Sequence, residues 1–164
     1  MAATNVYLKL GDLKGESLDK DHKDWIEVEN FSWGVDNPSS FSIGQGGQAT
    51  QAHISSLNIS KACDASSVFL WQAATTGRHI EDATLSCLKL NSTTDRLEYL
   101  KVEMTDLMVS AVQWSGTGGE VQVREHLSLI FAEFKSTYSL QTDDGDAAGG
   151  AVHFGWNIQT STPS

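Results

Sequence analysis

Apolar and polar side chains alternate through most of this chain, and period two sorts side chains onto two faces only in extended strands. Val6, Leu8 and Leu10 alternate with Tyr7 and Lys9 near the start, and Val152, Phe154 and Trp156 alternate with His153 and Asn157 near the end. Between them, Leu100, Val102 and Met104 alternate with Lys101, Glu103 and Thr105. Val121, Val123, Leu127, Leu129 and Phe131 share one parity on a return strand. Its other face is polar at Gln122, Arg124, His126 and Ser128 before turning apolar at Ile130, Ala132 and Phe134. A further strand is predicted over residues 53–60.

The alternation changes phase twice. In residues 25–35 the apolar face moves from Ile26 and Val28 to Phe31, Trp33 and Val35, and past residue 105 it moves to Leu107, Val109 and Ala111. Period two cannot switch faces unaided, so one-residue bulges are expected near Glu29 and Asn30 and near Thr105 and Asp106. Lys14-Gly15-Glu16-Ser17 and Gly116-Thr117-Gly118-Gly119 read as turns, and residues 142–150 as a final loop.

One segment reads as a helix. Asp64 can accept bonds from the free N–H groups at a helix start, and Gly77 is placed for the residue that ends one. Val68, Phe69, Leu70, Trp71, Ala73 and Ala74 lie between and spread around most of the circumference. The helix is therefore expected to be covered on more than one side. About eight strands and one helix joined by turns point to a closed or sandwiched antiparallel β structure. Apolar residues on both faces of several strands call for a cover beyond the chain's own core. Subunit contacts are one explanation and a helix cover is the other.

A chain of 164 residues, 40% of them hydrophobic, suggests one domain over 1–164 with a real core. No apolar run approaches the roughly 18 residues of a membrane span, and the first residues lack the charged and apolar segments of a secretory signal. A soluble protein made in the cytoplasm is expected. The net charge of −10 would repel nucleic acid and anionic membrane. Two cysteines, Cys63 and Cys87, are too few for a disulfide framework and read as small buried hydrophobes.

A search for chemistry returns little. His22 lies in a charged turn, His53, His126 and His153 fall on separate strands, and no HExxH or CxxC spacing occurs. His79 reads as a residue near a helix C-terminus. Gly44-Gln45-Gly46-Gly47 lacks the lysine and hydroxyl residue of a phosphate loop. Asp143-Asp144-Gly145-Asp146 lacks the closing glutamate of a calcium loop. No serine sits in a Gly-x-Ser-x-Gly elbow. The expectation is a protein with no catalytic residues, cofactor or metal. A monomeric ligand-binding β-barrel with one apolar cavity is the alternative to an assembling protein.

Several short stretches occur in an order that resembles one family. Tyr7-Leu8-Lys9-Leu10 leads to Lys14-Gly15-Glu16-Ser17, His22-Lys23, Ile26-Glu27-Val28 and Phe31-Ser32-Trp33-Gly34. A Gly-rich loop, the lone helix, Gly77-Arg78-His79, Leu97-Glu98-Tyr99-Leu100, Val109-Ser110 and Phe154-Gly155-Trp156-Asn157-Ile158 follow. Together they are similar to the haemolysin-coregulated proteins (Hcp), tube subunits of bacterial type VI secretion systems. The resemblance implies an antiparallel β-barrel of about eight strands with one flanking α-helix and an extended loop. It implies a homohexameric ring, rings stacked into a hollow tube, a contractile sheath around the tube, a spike trimer capping it, and effector proteins in its lumen. It also implies export without a signal peptide. The chain departs from the family pattern where Gln45 and Gln48 interrupt the Gly-rich loop and where Trp71 and Trp114 are bulky.

Two places carry the implied function. Ser32 alternates with Phe31 and Trp33, so if those aromatics pack inward the serine faces out, and the family resemblance puts that strand on the channel wall. Residues 35–50 are too long for an ordinary connection, and Asn37 and Pro38 cannot continue a central strand. The resemblance makes this segment a loop or hairpin that reaches the next ring, with Ser40, Phe41, Ile43, Gly44, Gly46 and Gly47 as its stacking residues.

Overall fold

The computed structural model describes residues 5–42, 46–48, 50–90, 95–143 and 147–164, with the backbone course alone for 41, 42 and 46–48. Ile43, Gly44, Gln45 and residues 91–94 and 144–146 lie outside the described residues. The elements run β1 (Val6–Leu10), β2 (Ile26–Glu27), β3 (Asn30–Ser32), β4 (Val35–Asp36), β5 (Ser40–Ser42), β6 (Gly46–Gln48), β7 (His53–Ile54) and β8 (Leu57–Ala62). Then come α1 (Ser67–Thr76), β9 (His79–Leu90), β10 (Arg96–Ser115), β11 (Arg124–Gln141), β12 (Ala147–Asn157) and β13 (Thr162–Pro163). The chain is mainly β with one helix, as expected, though its described strands are more numerous than alternation alone indicates, with β9, β10 and β11 long and β2 to β7 short.

The long hairpin β10–β11 organises everything else. β9 and β1 extend the sheet beyond β10, and β2 pairs β1. On its other side β11 forks. Its first half, from Arg124 to Leu129, pairs β8, while its second half, from Glu133 to Gln141, pairs β12. The segment of β2 and β3 joins the two ends of this circuit: Val28 donates to the Val6 carbonyl and Glu29 to the Ser60 carbonyl. The ladders do not close into the expected barrel: one segment leaves β1 for β8, and no continuous ladder joins β2 to β3. The first switch of parity falls where expected: Glu29, at a bend between β2 and β3, and Asn30 are both exposed, and the segment changes partner there.

The second switch is real but shared. Ala83, Met104 and Phe134 form one cross-strand row, and Ile80, Leu107 and Phe131 form the next buried row. Between the rows each of β9, β10 and β11 contains two residues where strict alternation allows one. The strands bend in step, so their register is unbroken there, and Asp106 takes a left-handed φ of 54° at the bend. The ladder irregularities of β10 lie elsewhere, between Glu98 and Leu100 and between Val109 and Ala111.

Three smaller expectations are corrected. β12 begins at Ala147, which pairs Gln141, so residues 147–150 belong to a strand and not to the final loop. Val121 and Val123 precede β11 and are exposed. Cys87 is buried but Cys63 is half-buried. The helix ends as expected, with Gly77 in the left-handed region at φ 64° and its N–H on the Ala73 carbonyl. At the other end Asp64 Oδ1 accepts the Ser66 N–H at 2.9 Å. Leu70 plugs α1 into a core that includes Leu8, Ile26, Leu57, Leu107 and Leu129, each worth roughly 1.5–3 kcal/mol on burial.

Candidate functional site

The strands β3, β8, β11 and β10 form a four-stranded sheet whose inner face is core and whose outer face is open. Cross-strand pairing sets Asn30 beside Ser60, Ser60 beside His126 and His126 beside Gln113 in one row. Ser32, Asn58, Ser128 and Ala111 make the next row. Alternation produces this directly: Phe31, Ile59, Leu127 and Leu129 point inward, so their neighbours point out. Ser32 is exposed, while Phe31 and Trp33 pack against the core.

The face is polar without being ionic. Ser128 Oγ donates to Asn58 Oδ1 at 2.6 Å, Ser60 Oγ lies 2.8 Å from His126 Nδ1, and Ser110 Oγ donates to the Ser128 carbonyl at 3.1 Å. His126 is the one titratable side chain among these eight residues. At the margin Arg124 is neutralised by an ion pair with Glu29. The two rows surround a shallow hollow of about 240 Å³. In a chain with 32 acidic and basic residues (21 and 11), such a face exposes hydrogen-bonding groups and little charge.

The described strands within residues 35–54 form a hairpin arm. β4 pairs β7 at its root, and farther out Ser40, Phe41 and Ser42 pair Gln48, Gly47 and Gly46. Between the two ladders Asn37 Oδ1 accepts the Ser39 N–H at 3.1 Å and the Thr50 hydroxyl at 3.2 Å. Asn37 and Pro38 thus interrupt strand pairing while a side-chain clip holds the arm together. At the root, Trp33, Val35, Ile54, Phe134, Phe154 and Trp156 line an open apolar hollow of about 470 Å³.

Two buried polar clusters were not read from the sequence. His22 is buried with Nδ1 2.9 Å from Asp19 Oδ1 and Nε2 3.1 Å from Ser86 Oγ, its ring stacked on Tyr7. This aspartate, histidine and serine order has the form of a catalytic triad. Ser86, however, is fully buried and its hydroxyl also bonds Glu98, so the cluster pins residues 11–25 to the sheet. Burial pushes the Asp19 carboxyl up, but bonds from His22, the Asp21 N–H and Arg96 outweigh it and hold the group below its ordinary value. Burial, with Glu98 nearby, pushes the Cys87 thiol up to about 11, which keeps it protonated and inert.

In the second cluster Lys61, wholly buried, lies 2.7 Å from Glu125 Oε1 and 2.8 Å from Asp64 Oδ1. Among the described residues no three His, Cys, Asp or Glu side chains converge to hold a metal, and no helix is long and apolar enough to cross a membrane.

Residues 7–138 match the family described as "Type VI secretion system effector, Hcp". Protein hcp1 of Pseudomonas aeruginosa is 36% identical over 157 residues, 96% of either chain. A solved structure of a type six secretion system protein superposes with a TM-score of 0.90 at 32% identity, covering 99% of this chain and 100% of that one. Hcp1 from Salmonella typhimurium is similar at a TM-score of 0.79 and 30% identity, over 97% of both chains.

Proposed function

The chain belongs to the Hcp family of type VI secretion system proteins, and from that premise we propose that it is the repeating structural subunit of a type VI secretion tube. Six copies close a ring, and rings stack into a hollow tube that carries effector proteins. A contractile sheath surrounds the tube, a spike trimer caps it, and sheath contraction expels it from the bacterial cytoplasm. The uncharged face around Ser32, Asn58 and Ser128 lines the lumen. The arm of residues 35–54 reaches the neighbouring ring, with Ser40, Phe41, Ile43, Gly44, Gly46 and Gly47 in the contact. In this reading the chain is one domain over 1–164 and acts without catalysis.

The observation that carries the ring is the four-stranded sheet. Past Met108, β10 pairs only β11, and β3 pairs only β8, among the described residues. Open edges are templates for further pairing. With an even number of antiparallel strands, the two edge strands run in opposite directions. A head-to-tail junction between copies therefore continues the antiparallel pattern, and head-to-tail contacts make a ring when the rotation between copies closes. The uncharged face then becomes continuous around the channel.

Six copies carry six times −10, or −60, formal charges, so screening favours the ring. Native mass spectrometry at micromolar concentration in moderate salt should find six times the protomer mass, with a monomer fraction that grows as salt is lowered. A stable monomer in moderate salt would refute the ring. The apolar hollow beneath the arm favours a second reading, a monomeric carrier. That reading requires the monomer to bind an apolar fluorescent probe in this hollow and Trp156→Ala to abolish the binding.

A further inference from the structure

The helix, expected to be covered on more than one side, is covered on one. Ser67, Leu70 and Ala73 face the core, while Val68 and Phe69 stand 67% and 52% exposed. Trp71 lies beside Val68 on the helix surface, three residues on. Its ring centroid is 5.1 Å from that of Trp114 on β10, and both indoles are more than two-fifths exposed. Single exposed apolar residues are ordinary, but a contiguous patch of large ones marks a contact.

The support beneath the patch is rigid. Trp114 Nε1 donates to Glu125 Oε2. Glu125 is wholly buried, and its other oxygen accepts from Lys61 Nζ and from Ser67 Oγ at 3.1 Å. Residues of β8, α1 and β11 thereby hold one surface tryptophan in place. A side chain already fixed loses little freedom on binding.

The position of Trp114 identifies what covers it. It lies on the part of β10 whose far edge has no ladder partner among the described residues, and it points to the α1 side because its pair, Glu125, does. A strand added there would lie about 4.7–4.9 Å away, with its α1-side residues next to the indole. We infer that the Trp71–Trp114 patch is the outer seam between neighbouring copies. The next copy's β3 adds to the β10 edge, its Phe31, opposite in facing to Asn30 and Ser32, packs beside Trp114, and Val68 and Trp71 close over the joint. This inference rests on the ring reading above and names the contact that makes it.

Dilution of the purified full-length chain, followed by mass photometry, tests the seam with Val68→Asp and Trp71→Glu. Val68→Asp leaves both tryptophans and the Glu125 bonds in place, so it decides the matter if Trp71→Glu loses its wild-type circular dichroism. The seam predicts folded variants whose hexamers dissociate at concentrations at least about tenfold higher than wild type. Variant hexamers that dissociate at the wild-type concentration overturn the seam and leave the ring standing. A wild-type chain that is monomeric throughout overturns the ring reading, and the seam with it.

Discussion

Two exposed surfaces meet along β10, and they depart from an ordinary protein surface in opposite directions. One, made of Asn30, Ser32, Asn58, Ser60, Gln113, His126 and Ser128, is polar and nearly free of charge. The other, made of Val68, Phe69, Trp71 and Trp114, is apolar. They lie on opposite faces of the same strand, since Gln113 pairs His126 and Trp114 pairs Glu125. The polar surface meets its own hydrogen-bonding needs through Ser128 with Asn58 and Ser60 with His126, so water can cover it. The apolar surface remains costly to hydrate until something covers it. A wall that must let cargo pass and a seam that must hold copies together call for these two chemistries.

The largest effect should appear away from both surfaces. Replacing Phe41 and Ile43 together by Asp should abolish tube formation while leaving single rings, counted by negative-stain microscopy. Tubes of normal length would make the arm a passive linker, and loss of rings would tie closure to the arm instead of to the seam. Next in size is Lys61→Met, which leaves Glu125 and Asp64 without their buried cation beneath Trp114. Urea unfolding should show a loss of about 3–5 kcal/mol. Adding Glu125→Leu should recover part of it, because the orphaned carboxylate is gone. A loss below 1 kcal/mol (roughly the value of a surface ion pair) would mean that the seam has no rigid support.

A smaller effect is expected inside the channel. Ser32→Gln adds bulk to the uncharged face, so the ring should keep its mass while effector co-purification falls severalfold. Unchanged co-purification by a folded ring would make Ser32 an ordinary exposed serine. The smallest effect concerns Asp19, whose pKa is depressed in the fold. Its contribution to stability is complete above the ordinary value of 3.8 and is lost as pH falls below it toward the native value. Asp19→Asn should therefore lower stability at neutral pH, where the contribution is complete, and flatten the acid limb below about pH 4, where wild type loses it anyway. An unchanged acid limb would remove Asp19 from the lock that holds residues 11–25.

What could be read from the sequence was local. The outward facing of Ser32 follows from its two aromatic neighbours, and Gly77 ends the helix because glycine accepts the left-handed conformation. Asn58, Ser60, His126 and Ser128 carried the same parity signal, but only pairing sets them side by side. The shared bend was half legible. Asp106 marked it in one strand, and its alignment with β9 and β11 depends on register between distant segments. His22 and Ser86 are 64 residues apart, so nothing nearby distinguishes that histidine from an exposed one. Lys61 misleads for a physical reason. Lysine is rarely buried, and the carboxylate of Asp64, three residues on, together with that of distant Glu125 makes its burial tolerable here. Trp71 and Trp114 stood out singly as bulky departures, and the fold shows each as the other's neighbour.

The most direct measurement of the central claim is an electron-microscopy reconstruction of the purified particle at a resolution that shows side chains. The account predicts six copies around a channel, with Ser32, Asn58 and Ser128 facing the lumen and Trp71 with Trp114 against the neighbouring copy. A particle with the Ser32 face turned outward, or with the β3 and β10 edges on solvent, would contradict it.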